Sequence, residues 1–190
     1  MEDDHGMGDL FHPIQPAVSE NRTSPMRYRE YVPSAALKPH IYCYWTLWSE
    51  RVTTAPFTYR IVSDGCVDLF INCRQFEELN VAGTASAAST VILEGDVSYF
   101  GIRFLPGGFY RLFKLPMKEI ANKMVSVQEV WGNRLTDFES RLYAAQGIRE
   151  KITVTEAFLV TADVYREKGT RSPVAACVGN GLPKRRSIPD

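Results

Sequence analysis

Phe57-Thr58-Tyr59-Arg60-Ile61-Val62, Ser63-Asp64-Gly65-Cys66 and Val67-Asp68-Leu69-Phe70-Ile71-Asn72 form the continuous stretch whose reading decides the fold class. Two runs rich in β-branched and aromatic residues flank an Asp-Gly pair. That pattern predicts two antiparallel strands joined by a tight hairpin. The same texture extends upstream. Ile41-Tyr42-Cys43-Tyr44-Trp45-Thr46-Leu47-Trp48 predicts a buried strand, and Tyr28-Arg29-Glu30-Tyr31-Val32-Pro33 a short one. Between them, Pro33 to Pro39 predicts a helical turn with Ser34 as its cap. Downstream, Asn80 to Gly83 reads as a turn or short strand, and Thr90–Glu94 with Val97–Phe104 as a strand pair around Gly95-Asp96. Roughly six to eight short strands over residues 28–104 predict an antiparallel sandwich or barrel.

After Phe104 the hydrophobic period changes to that of helices. Leu105-Pro106-Gly107-Gly108 is a turn, and Phe109 to Leu115 a short helix. Pro116 suits a first helical position, with Met117, Ile120, Ala121 and Met124 on one face. Ser126-Val127-Gln128-Glu129 fits a capping box, and Gly132 ends the helix it starts. Two longer helices are expected over 134–146 and 149–168, the second stopped by Gly169. The fold class is therefore α+β: a β-rich body followed by a helical tail. The expected organisation is a mobile arm (1–25), a β-rich domain (26–115), a helical segment (116–168) and a tail (169–190).

The chain has 190 residues, 45% hydrophobic and 12% aromatic, enough apolar material for a core. Its 22 basic residues match 22 acidic ones. A zero balance argues against autonomous DNA binding, which relies on neutralising phosphates. No apolar run approaches the roughly 20 residues that span a bilayer, and the acidic start lacks signal-peptide texture. A cytoplasmic location follows as an expectation. The cysteines at 43, 66, 73 and 177 form no CxxC pair, and His40 is the only histidine in the folded region. No metal, cofactor or catalytic set is expected, which argues against a metal-dependent enzyme. Cys66 and Cys73 invite a redox reading, but buried, inert thiols are the simpler one.

Several ordered blocks carry a resemblance. Tyr28–Pro33, Tyr44-Trp45, Ile61–Leu69, Phe100-Gly101-Ile102-Arg103-Phe104-Leu105-Pro106-Gly107-Gly108, Leu115-Pro116 and Val130-Trp131-Gly132 together resemble the N-terminal domain of one subfamily of AraC-type bacterial transcription regulators. The blocks span residues 26–168. The resemblance implies a cupin-like β-barrel that senses a small molecule, helices that support a homodimer, and a DNA-binding domain of two helix-turn-helix units. Residues 170–190 are too short for those units. Ser172–Val178 looks like the start of that domain's first helix, and Gly179-Asn180-Gly181-Leu182-Pro183 breaks it. DNA contact is expected only through the missing domain.

Charges within apolar strands mark the candidate ligand site. Tyr44, Arg60, Asp68 and Arg103 are the candidate ligand-binding residues, with Asp64 most simply a turn residue. Alternation puts Tyr42 and Tyr44 on one face of their strand and Trp45 on the other. Ile152, Phe158, Leu159 and Ala162 on the last helix are the candidate dimerisation residues. Two other functions fit the same residues. One is a stand-alone cupin-like binding protein or enzyme. The other is a dimerisation module whose barrel is filled by its own side chains.

Overall fold

The computed structural model describes residues 25–74 and 79–167, with 54, 55, 134 and 162–167 described by backbone alone. The strands are β1 (Met26–Tyr31), β2 (Ile41–Ser49), β3 (Thr53–Ile61), β4 (Val67–Asn72), β5 (Asn80–Ala82), β6 (Ser89–Gly95), β7 (Ser98–Phe104) and β8 (Met124–Ser126). The helices are α1 (Gly108–Phe113), α2 (Met117–Ile120), α3 (Val127–Trp131), α4 (Thr136–Ala144) and α5 (Ile148–Glu167), with a 3-10 turn at Gly132–Leu135. Six strands form one antiparallel sheet in the order β1-β2-β7-β4-β5-β8, and β3 pairs with β6 in a second sheet. The large sheet is open: β1 and β8 lie at its two edges. The tail of helices follows, as the change of hydrophobic period predicts.

Two expected hairpins are absent. β3 and β4 flank Asp64-Gly65 but do not pair. β3 pairs with β6, Tyr59 opposite Val91, whereas β4 pairs with β7 and β5. β6 and β7 flank Gly95-Asp96 and also lie in different sheets. The turn chemistry itself is present. Gly65 has φ 73°, and the Cys66 amide donates to Asp64 Oδ1 at 2.9 Å. Local turn chemistry reverses the chain, but it does not choose the next strand's partner.

The two faces of the large sheet differ sharply. Tyr44, Leu69, Ile71, Phe100, Ile102 and Phe104 are at most 1% exposed and face the helices. There Phe104 meets Phe109 and Phe113 edge-on, and Phe113 leans on Trp131. The opposite face turns towards β3 and β6, where Met26, Leu47, Leu93 and Val97 form a smaller cluster.

The last helix closes the helix-side core. Phe158 stacks on Phe138 at 4.2 Å, Leu159 is fully buried, and Ile152 packs half-buried against the same cluster. Tyr44 Oη donates to Glu156 Oε1 at 3.3 Å, and the Ser34 amide donates to the same oxygen at 2.8 Å. Part of the apolar stripe expected to meet a second copy is thus covered within the chain: Leu159 is buried, whereas Ile152 and Phe158 are half-buried. The Ala162 side chain and Gly169 lie outside the described residues. An apolar stripe states that a helix face must be covered, not by what.

Local signals fared unevenly between α2 and α3. Met124 was expected on the α2 face, but Asn122 at φ 55° follows the helix and Met124 begins β8, 46% exposed. The capping box is present in full. The Glu129 amide donates to Ser126 Oγ at 3.0 Å, and the Ser126 amide donates to Glu129 Oε2 at 2.9 Å. Ser126→Ala is expected to lower stability by about 1 kcal/mol, the usual cost of losing such a cap. Urea denaturation would read this as a lower midpoint at constant slope. An unchanged midpoint would show that the box is redundant.

Candidate functional site

Register and alternation assemble a polar cluster on the face between the two sheets. Asp68 on β4 lies opposite Arg103 on β7, and Cys43 on β2 lies opposite Arg103 from the other side. Trp45 lies opposite Gly101. Gly101 provides no side chain, so the indole of Trp45 lies against β7. A Cβ at Gly101 would sit 2.1 Å from Trp45 Cε2. That placement lets Trp45 Nε1 donate to Asp68 Oδ1 at 2.9 Å.

Arg103 grips Asp68 through two bonds. Nε donates to Oδ1 at 3.1 Å and Nη2 to Oδ2 at 2.8 Å. Nη1 also lies 3.6 Å from Asp64 Oδ2. The three side chains are 9%, 17% and 14% exposed for Arg103, Asp68 and Asp64. Burial opposes charging of Arg103, but the Asp68 carboxylate outweighs it and holds the guanidinium above its usual pKa. Two carboxylates face one guanidinium, so one carboxylate is in surplus.

Aromatic rings surround this pair. Tyr28 stacks on Trp45 at 6.2 Å, Trp45 lies 6.4 Å from Phe70, and Phe70 meets Tyr99 edge-on at 6.1 Å. Phe57 and Tyr59 on β3 face them from the second sheet. Tyr28, Trp45, Phe57, Tyr59, Phe70 and Tyr99 are half-buried, unlike Phe104, Phe109 and Phe113 on the helix side. Burial pushes the Tyr59 phenol up to about 12, and pushes Tyr28 higher still. Both hydroxyls are therefore protonated near neutrality and can donate hydrogen bonds. Tyr28 Oη donates to Glu30 Oε1 at 2.9 Å.

Burial also raises the thiol pKa values of Cys43 and Cys66, both buried on this side. Raised values oppose the reactive-thiolate reading. The groups suit recognition: donors, one surplus carboxylate and aromatic faces. Among the described residues, no three His, Cys, Asp or Glu side chains are grouped to hold a metal ion.

These shifts give a pH prediction. Cys43, Cys66, Tyr28, Tyr44 and Tyr59 all have folded pKa values above their ordinary ones. The unfolded chain therefore loses these protons first as pH rises. Their stabilising contribution is complete below about pH 9 and is lost progressively above it. Thermal melts from pH 8 to 11 should show a falling Tm. A flat profile would mean that these groups ionise freely in the fold.

Of the four candidate ligand residues, the structure brings Asp68 and Arg103 together and separates the other two. Tyr44 is fully buried on the helix side. Arg60 is exposed, on the outer side of β3 from Tyr59. Both separations follow from the alternation of strand side chains. Trp45, Tyr28, Tyr59 and Asp64 complete the cluster. Trp45's place opposite Tyr44 was readable from alternation. The approach of Asp64 depends on how the chain crosses between sheets, which alternation cannot give.

The fold and site define an α+β protein with an open antiparallel sheet, helices sealing one face and a charged, aromatic cluster on the other. The chain belongs to the family described as Domain of unknown function (DUF6597), whose pattern it matches over residues 29–126. The match runs from within β1 to the end of β8 and so includes all the clustered residues from Glu30 to Arg103. No curated protein and no solved structure matches the chain significantly.

Proposed function

We propose that this chain is the effector-sensing and dimerisation domain of an AraC-type transcription regulator. A small molecule binds between the sheets of a cupin-like barrel and controls an attached helix-turn-helix DNA-binding domain. The carrying observation is the Asp68–Arg103 pair, fastened to Trp45 on a half-open aromatic face. A buried ion pair is weak support for stability, so its presence in such a setting favours recognition. The ordered sequence blocks that resemble AraC-type regulators supply the class.

The ligand meets the surplus carboxylate, the Tyr28 and Tyr59 hydroxyls and the Trp45 ring. Arg103 acts mainly by holding Asp68, since its donors are directed at the two carboxylates. A route to the helices exists in the fold. Trp45 adjoins Tyr44, whose hydroxyl is tied to Glu156 on α5. Coupling requires the ligand to favour one arrangement of α5 over another. No helix among the described residues is long and apolar enough to cross a membrane, and a cytoplasmic location belongs to this proposal.

Native mass spectrometry of the purified chain with a metabolite panel tests the reading. A saturable one-to-one adduct per protomer is expected, weakened in a folded Tyr59→Phe variant. A chain that binds none of the panel, or a stoichiometric bound transition metal with turnover, would count against a sensor.

A further inference from the structure

A cavity lies on the other side of the large sheet from the Arg103 cluster, between the sheet's helix-facing surface and the corner joining α4 to α5. Its volume is about 610 Å³, within the range of small-molecule sites. Thr46 and Phe100 line its sheet side, and Tyr143, Ile148 and Lys151 its helix side. Two lining residues are cationic, Arg74 and Lys151, and none is acidic. Arg74 is engaged by Asp96 at 3.1 Å. Among the described residues Lys151 has no carboxylate partner: its Nζ donates to the carbonyl oxygens of Leu142 at 2.8 Å and Ala145 at 3.2 Å. An ammonium has a third proton to give. Thr46 Oγ1, shielded at the sheet side of the cavity, has no hydrogen-bond partner among the described residues.

We infer that this cavity is a second ligand site, for a small anionic molecule with an aromatic or apolar body. Lys151 supplies the countercharge, Thr46 a hydroxyl donor, and Tyr143, Phe100 and Ile148 the apolar walls. A partly buried ammonium held only by carbonyls gains most from an anion, because charged hydrogen bonds are the strong ones. Lys151 ties the end of α4 to the first turns of α5. An anion bound there joins that corner to β2 and β7. The site lies across the large sheet from the Arg103 cluster and shares Tyr99 with its aromatic rim.

The test uses 1-anilinonaphthalene-8-sulfonate, an anionic aromatic fluorophore, and N-phenyl-1-naphthylamine, its neutral counterpart. The intact chain is labelled at its isoleucine δ1 methyls for NMR. The expected result is saturable binding of the anion, with the largest shifts at Ile71 and Ile148, which line the cavity. Lys151→Met should weaken the anion by about tenfold and leave the neutral probe unchanged. Lys151→Arg should retain most of the affinity. Thr46→Val, which removes a hydroxyl without a partner in the fold, should weaken the anion a few-fold. Shifts centred on other isoleucines overturn the proposal. So does equal binding of the two probes, or an anion affinity insensitive to both Lys151→Met and Thr46→Val.

Discussion

Asp68→Ala is expected to cost about 3 kcal/mol of folding stability, the lower end of the penalty for leaving a buried charge without its partner. Arg103 would lose its two short bonds to Asp68 and keep the longer contact with Asp64, at 3.6 Å. Trp45 would also lose the acceptor of its indole proton. Asp64→Asn should cost less than about 1 kcal/mol, since its contact with Arg103 is long and an amide oxygen can still receive the Cys66 amide. Equilibrium denaturation of both variants gives the ordering directly. A loss below about 1 kcal/mol for Asp68→Ala would mean that solvent or Asp64 fully compensates Arg103, and the pair would lose its status as a fixed element.

The double variant Asp68→Leu/Arg103→Met separates stability from recognition. A buried ion pair replaced by apolar groups of similar volume is often neutral or stabilising. The double variant should therefore be more stable than Asp68→Ala, while losing any ligand that needs the carboxylate. A double variant less stable than Asp68→Ala would instead give the pair a structural role. The same logic explains the contrast between the faces. Where Phe104, Phe109 and Phe113 pack, the helix side is closed by aromatic rings. The opposite face places its charges among half-buried rings.

Alternation made part of this site legible in the sequence. Asp68 and Arg103 stood out as charges in apolar strands, and parity separated Trp45 from Tyr44. The Ser126 capping box was readable because both of its bonds are local. What could not be read was non-local. Asp64-Gly65 encodes a turn whether the chain returns to the same sheet or crosses to another, and here it crosses. That crossing brings Asp64 towards Arg103 and leaves Arg60 on the outer side of β3. The α5 stripe likewise could not announce Phe138 as the partner of Phe158. The Lys151 cavity had no sequence signal, because its walls come from strands and helices far apart in the chain.

Gly101→Ala should destabilise the fold by about 3 kcal/mol, combining overpacking with the loss of one indole hydrogen bond. The added methyl would stand 2.1 Å from Cε2 and 2.2 Å from Cζ2 of Trp45, far inside van der Waals contact. The backbone of β7 cannot retreat, since β2 and β4 hold it on both sides. Trp45 must therefore move, and Nε1 leaves Asp68. The change is detectable apart from stability, because the indole would exchange a carboxylate partner for other surroundings. Native-state fluorescence should change in Gly101→Ala and should not change in the same way in Ser126→Ala. Adding Trp45→Leu to Gly101→Ala should recover part of the lost stability by removing the clashing ring, and it should not recover ligand binding. If Gly101→Ala kept both its melting temperature and its fluorescence, the indole would not be wedged against β7. The positioning of Asp68 would then rest on Arg103 alone.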